Sequence, residues 1–311
     1  MPHAEAIAHY PKSTQVFIKK IHNRIESGKN ALIAVVGGTG SGKSWSTLNL
    51  MVGLDLYRFG KMKEAQWYID HCIFRAKDLL KGLNDPKLKK KTTWIWDEAG
   101  VDAGSQEHMS TKNKVIGWMA QTFRNLQQVV FFTLPTLGML TSQVRKLLHY
   151  YLEAHYVDSN KQMCVMKPLQ MQYNTRMDKI YYHNLKFTTR DGFLEQVQLM
   201  GVPKAPQDLI DGYEELKSKF TSDLNLQLQQ MLEKMEKKDE FNPYDRYTDY
   251  QKEIHKAVKE EGKTNVTDIA NFLGRDTKSV SLNLMFMKKK GGIYQEITRK
   301  NSFRALTPPS T

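Results

Sequence analysis

The chain has 311 residues, 40% hydrophobic, 25% charged and 10% aromatic. That balance excludes collagen-like, mucin-like and wholly disordered chains and allows one large domain plus a satellite. Lys and Arg number 46 against 33 Asp and Glu, a formal net charge of +13 that favours a polyanionic partner, either nucleic acid or an anionic membrane surface. Two cysteines, Cys72 and Cys164, are too few for a disulfide framework or a four-thiolate zinc site and point to a reducing compartment. The first residues carry no charged-then-apolar leader, and no window approaches the roughly 18 apolar residues of a membrane span, so the expected location is the cytoplasm.

Residues 12–29 read as an amphipathic helix ending at Gly28. ALIAVV (31–36) is a short β-branched apolar run, the sign of a strand buried on both faces. A glycine-rich turn and a helical stretch over 44–59 follow, which is the opening of a βα unit in a parallel sheet. Further strands are expected at 66–71, 92–98 and 128–135, with helices at 75–82 and 112–126 between them. From His149 the pattern changes: 150–157, 162–173 and 179–187 are extended runs with short polar turns, antiparallel additions rather than βαβ units. A long polar helical pattern covers 206–238, and FNPYD (241–245) reads as a hinge. The last stretch gives helices at 247–261, 266–274 and 277–291 and then a β-hairpin, the plan of a winged helix-turn-helix.

Gly37, Gly38, Thr39, Gly40, Ser41, Gly42, Lys43 and Ser44 fit GxxxxGK[ST] in full, between the buried strand and the helix. Glycines allow successive backbone N–H groups to face a cluster of phosphate oxygens. Lys43 then reaches the β/γ-phosphates, and the Ser44 hydroxyl ligates Mg²⁺. The apolar run TTWIW ends in Asp97 and Glu98; at a strand's carboxyl edge the first acid can hold the metal and the second can polarise an attacking water. Glu directly after Asp argues for hydrolysis, and the absence of an NKxD base-reading motif favours ATP over GTP. Thr133, at the end of QVVFFTLP, is either a γ-phosphate-sensing hydroxyl or a core strand's chance terminus. Arg124 and Arg145 flank that strand; each is either a solvated helix residue or an arginine donated to a neighbouring subunit's site.

The order GGTGSGKS, WIWDE, FRNLQQVVFFTLP and TSQVRKLLHYYLEAHY resembles the additional-strand ATPases of the FtsK/HerA type, and among them the Zot-like and viral DNA-packaging branch, over about residues 30–190. The chain departs from that pattern in carrying Thr133 and Leu134 where the family places Gln. The resemblance implies a P-loop NTPase fold, RecA-like, with a mainly parallel sheet and antiparallel extensions. It also implies a homo-oligomeric ring that moves double-stranded DNA at the expense of ATP with Mg²⁺. The expected domains are an ATPase over 1–205, a helical connector and hinge over 206–245, and a winged helix-turn-helix over 246–311. Two other readings stay open: an AAA+-like replication initiator or helicase loader, and a nucleotide-gated DNA-binding regulator.

In the C-terminal unit Lys278, Ser279 and Asn283 begin the third helix, Lys288, Lys289 and Lys290 close it, and Arg299, Lys300 and Arg304 decorate the wing. Small polar and cationic residues on such a helix suit the major groove while wing cations follow phosphates. Winged helices also serve as protein-contact modules. The run Lys87-Leu88-Lys89-Lys90-Lys91 is a solvated turn or a further phosphate contact.

Overall fold

Six consecutive apolar residues give β1 (Ala31–Val36) no solvent face, and all six are buried. Alternation along the strand sends Ala31, Ile33 and Val35 to one layer of the core and Leu32, Ala34 and Val36 to the other. A strand of this kind belongs in the middle of a sheet covered on both faces. The structure, a computed structural model, describes residues 2–85, 87–98, 123–189, 191–239, 247–289, 293–295 and 303–305, the last two segments and 234–239 by backbone alone.

In chain order the first unit carries α1 (Lys12–Glu26), β1, α2 (Lys43–Phe59), α3 (Ala65–Asp70), β2 (Cys72–Ile73), α4 (Ala76–Leu83), β3 (Thr93–Trp96) and β4 (Val129–Leu134). After these come the single-turn helix α5 (Ser142–Arg145), then β5 (Tyr150–Asp158), β6 (Met163–Asn174), β7 (Lys179–Thr188), β8 (Leu194–Val197), β9 (Met200–Pro203) and the long helix α6 (Gln207–Asp239). Strands pair in the order β2-β3-β4-β1-β5-β6-β7-β8, with β9 on β6. The first five are parallel to one another and the rest antiparallel. The fold is therefore α/β with a mainly parallel sheet and antiparallel extensions. It places β4 between the strand before the glycine loop and the strand that ends in the acids.

One sheet face is covered by α1 through Phe17, Ile18, Ile21 and Ile25, by α2, and by Leu209, Ile210 and Tyr213 of α6. The other is covered by Leu79 of α4, Phe123, Leu140, Val144 and Leu148. The first part of the helix expected to be a connector is thus core. The chain divides into Met1–Leu226 and Gln227–Thr311, so the division falls inside α6 rather than before it.

The expected strand at 66–71 is a correction: those residues form α3, and the edge strand is only Cys72–Ile73, paired with Ile95 and Trp96. Trp67 and His71 stand one helical turn apart, stack at 3.9 Å, and are tied by a 2.7 Å contact between His71 Nδ1 and the Trp67 carbonyl. Only Tyr68 of that segment is buried, whereas a sheet strand would bury alternate residues. The strands β8 and β9 were not anticipated; they are four residues each, and β9 closes the part of β6 that β7 leaves unpaired.

The second unit carries α7 (Asp249–Lys259), α8 (Val266–Leu273), α9 (Thr277–Lys289) and the antiparallel pair β10 (Ile293–Gln295) and β11 (Phe303–Ala305). A capping box of Thr248 and Gln251 starts α7, Asn265 caps α8, and Gly274 in the left-handed region stops α8. Ile254, Ile269, Val280, Leu284 and Met287 form its core. The expected hinge at 241–245 and residues 112–122 of the expected helix 112–126 lie outside the described residues. Among the described residues no helix is long and apolar enough to cross a membrane.

Candidate functional site

The carboxyl ends of β1, β3 and β4 converge, as the crevice of an open parallel sheet requires. Beyond β1 the backbone turns through Gly40 and Gly42, both at positive φ, and Gly42 caps α2 in the left-handed region. A Cβ on Gly37 would stand 2.7 Å from the Ala154 carbonyl, and one on Gly42 would stand 2.9 Å from Val157 Cγ2. The loop lies directly on β5 and β6, with the Cys164 thiol donating to the Ser41 carbonyl at 3.1 Å. The first N–H groups of α2 have no intrahelical acceptor and face outward at the positive end of the helix dipole.

Lys43 folds back over this loop and donates to the carbonyls of Gly37 at 2.7 Å and Gly38 at 2.6 Å. Burial holds its ammonium below the usual lysine range. Ser44 donates to Asp97 Oδ1 at 3.2 Å, joining the loop to the acid strand.

Asp97 is 1% exposed and ringed by donors. Thr133 donates to Oδ1 alongside Ser44 while accepting the Glu98 amide at 3.1 Å. The Thr133 hydroxyl is thereby held between the two acids, one residue beyond the Trp96–Phe132 pairing. On the other oxygen the Tyr213 phenol donates to Oδ2, and the Lys217 ammonium lies 3.3 Å away. Lys217 is also 2.8 Å from Glu98 Oε1. Glu98 itself has φ +50°, so the chain leaves β3 in a conformation that few residues adopt. Burial, then the charge of Asp97, pushes the Tyr213 phenol far up. Burial opposes the charge on Lys217, but the Asp97 and Glu98 carboxylates outweigh it and hold the ammonium above the usual lysine range.

One cavity of about 340 Å³ is bounded by the loop from Thr39 to Trp45, the acid pair, Thr133 to Pro135, and Glu214 and Lys217. Lys43, Ser44, Asp97, Glu98 and Thr133 come together around this cavity. Tyr213 and Lys217 were not anticipated. Arg124 is exposed, and Arg145 is half-buried with its Nε unpartnered among the described residues; neither lines the cavity. The basic run at 87–91 borders a separate open cleft of about 1610 Å³ that also contains Trp67 and Trp94.

In the second unit Lys278, Ser279, Lys288 and Lys289 are exposed along α9. Asn283 is half-buried, donating to the Ser279 carbonyl at 2.9 Å and accepting from Gln251 Nε2 at 3.1 Å. The outer side of α9 also exposes Leu282, Met285 and Phe286. Arg304 sits in β11 opposite Tyr294, while Lys290, Arg299 and Lys300 lie outside the described residues.

Strand order, glycine loop and acid pair together make the first unit a P-loop NTPase fold. No protein-family model matches the chain, and no curated protein matches it. Among solved structures it is similar to the N-terminal domain of zonular occludens toxin from Neisseria meningitidis, at 12% identity and a TM-score of 0.32 over 53% of this chain and 99% of that one. It is similar to the genome-packaging NTPase of Sulfolobus turreted icosahedral virus 2 in complex with AMP, at 10% identity and a TM-score of 0.31 over 50% and 96% of the two chains. A DNA polymerase III gamma subunit-related protein from Thermotoga maritima matches at 10% identity and a TM-score of 0.31, over 46% and 47%.

Proposed function

We propose that the chain is an ATPase whose hydrolysis drives movement of DNA, working as a ring of identical subunits. The observation that carries the first half of this reading is the facing of Lys43 and Ser44 by Asp97 and Glu98 across one cavity. The loop amides and Lys43 are suited to the phosphates. Glu98, at the rim and more exposed than Asp97, is suited to accept a proton from the attacking water. Thr133 acts through the acids by fixing their orientation. The Ser44 hydroxyl and the buried Asp97 carboxylate are hard oxygen donors 3.2 Å apart, a pair that fits Mg²⁺; when bound, that ion would supply charge neutralisation at the phosphate oxygens.

The second half of the reading is supported by the net charge of +13 and by the cations exposed along α9. Three helices followed by an antiparallel pair support a winged helix-turn-helix in the second unit. A second reading of that unit, as a protein-contact module, is favoured by the exposed Leu282, Met285 and Phe286, which suit a partner's apolar surface better than phosphate. Ring formation is proposed with Arg124 or Arg145 donated to the neighbouring site.

The test is ATP hydrolysis with and without duplex DNA across a salt series. DNA should stimulate turnover, and the stimulation should fall steeply as salt rises. Mixing inactive Glu98→Gln subunits with inactive Arg145→Ala or Arg124→Ala subunits should restore hydrolysis at interfaces that pair an intact base with an intact arginine. Absence of DNA stimulation refutes the motor, and confirmed mixed oligomers that stay inactive refute the shared site.

A further inference from the structure

Two ammonium groups of the same chain line the candidate site. Lys43 belongs to the glycine loop, whereas Lys217 projects from α6 at the acid pair. Lys217 is not a surface side chain that happens to reach inward. Its helix is anchored in the core by Leu209, Ile210, Tyr213 and Phe220, and Tyr213, one turn earlier, is fastened to the same Asp97. The core therefore sets the helical turn from which the ammonium extends.

The electrostatics of the site call for such a group. A diphosphate seated on the loop amides and Lys43 is already compensated. A further phosphate extending toward Asp97 and Glu98 brings negative charge toward two carboxylates, a repulsion that a polarising base by itself makes worse. Lys217 is the described cation on that wall of the cavity, and it now pairs with both acids.

We propose that Lys217 is a specificity-determining residue that contacts the terminal phosphate and makes the site select nucleoside triphosphates over diphosphates, within a single chain and without a neighbour's arginine. The inference rests on reading the site as ATP-hydrolysing. Exchanging one partner for another is chemically simple: the ammonium carries three N–H donors, so it can turn to phosphate oxygens while keeping a contact to Glu98. The neutral hydroxyls of Thr133, Ser44 and Tyr213 remain on Asp97.

The experiment is equilibrium binding of ATPγS and of ADP to the full chain in EDTA, by titration calorimetry, so that neither turnover nor a divalent cation enters the readout. Lys217→Met should weaken ATPγS by about tenfold or more and leave ADP within about twofold. Lys217→Arg should restore most of the ATPγS affinity, and Lys217→Gln should behave as Met does, which guards against a folding defect peculiar to one variant. Equal weakening of both nucleotides, or of neither, overturns the inference. Lys43→Ala keeps the two levels apart. If it abolishes both affinities while Lys217→Met spares the ratio, the ATP reading stands and this inference falls. If the wild-type chain binds neither nucleotide, both fall.

Discussion

The Tyr213 phenol donates to Asp97 Oδ2, joining the second half of the first unit to the strand that bears the acids. Phe at position 213 would keep the packing against Phe74 and remove the donor from a carboxylate that is 1% exposed. Tyr213→Phe should therefore lower unfolding stability by about 1–3 kcal/mol, the cost of withdrawing a donor from a buried charged acceptor. Urea unfolding with an unchanged m-value is the measurement; an unchanged midpoint would mean that the remaining donors suffice for Asp97.

Truncation separates two views of where the first unit ends. A chain ending at 226 keeps Leu209, Ile210, Tyr213 and Phe220 and should remain folded and bind nucleotide. One ending at 205 loses all four, each worth roughly 1.5–3 kcal/mol of burial. Together that approaches the whole stability of a typical domain, about 5–15 kcal/mol. Circular dichroism and thermal melting of the two fragments should show a cooperative transition only in the longer one.

Sequence alone makes much of this site legible, because its chemistry is local. The loop from Gly37 to Ser44 and the pair Asp97 and Glu98 are each contiguous, and ALIAVV can hardly be anything but a buried strand. Tyr213 and Lys217 escape because they meet Asp97 from a helix more than a hundred residues away, in a segment whose charged residues suggest a solvated connector. The signal was present: Leu209, Ile210, Tyr213, Leu216 and Phe220 follow helical spacing and form one apolar stripe. The segment from Gln66 to His71 fails for a different reason, since a short aromatic run has the same composition in a helix as in a strand, and here the stacking of Trp67 on His71 decides.

Lys43 and Glu98 should separate binding from turnover. Lys43→Ala removes the loop's cation and should abolish nucleotide binding and hydrolysis together. Glu98→Gln keeps the loop and Asp97 intact, so binding should persist while turnover falls by a factor of about 10² or more, the usual contribution of a general base. Fluorescent-nucleotide binding alongside phosphate release is the check, and equal loss of binding in both variants would remove Glu98 from its assigned role.

Acid sensitivity should come in part from His149. Its Nδ1 accepts the Leu32 amide at 3.0 Å beside β1, which requires a neutral ring. Burial, and then the Arg24 guanidinium, push its pKa from 6.5 down to about 3. Because the unfolded chain takes up the proton first, this contribution to stability is complete above pH 6.5 and is lost as the pH falls toward 3. His22, His71 and His255 are lowered by burial too and act in the same direction. His149→Gln retains an acceptor and removes the titration, so its stability should fall less between about pH 7.5 and pH 5 than that of the wild type. Parallel pH slopes in denaturant titrations would contradict this.

Both cysteines are buried, Cys72 at the sheet edge and Cys164 under the glycine loop, and burial pushes both thiols up. The thiolate is the nucleophile that attacks alkylating reagents, so the folded chain should react with maleimides only slowly at neutral pH. Covalent labelling then needs no prior removal of native residues. A cysteine introduced at Ser218, exposed and next to Lys217, would carry a fluorophore or spin label as the sole reactive position. The wild-type sequence is its own cysteine-light background.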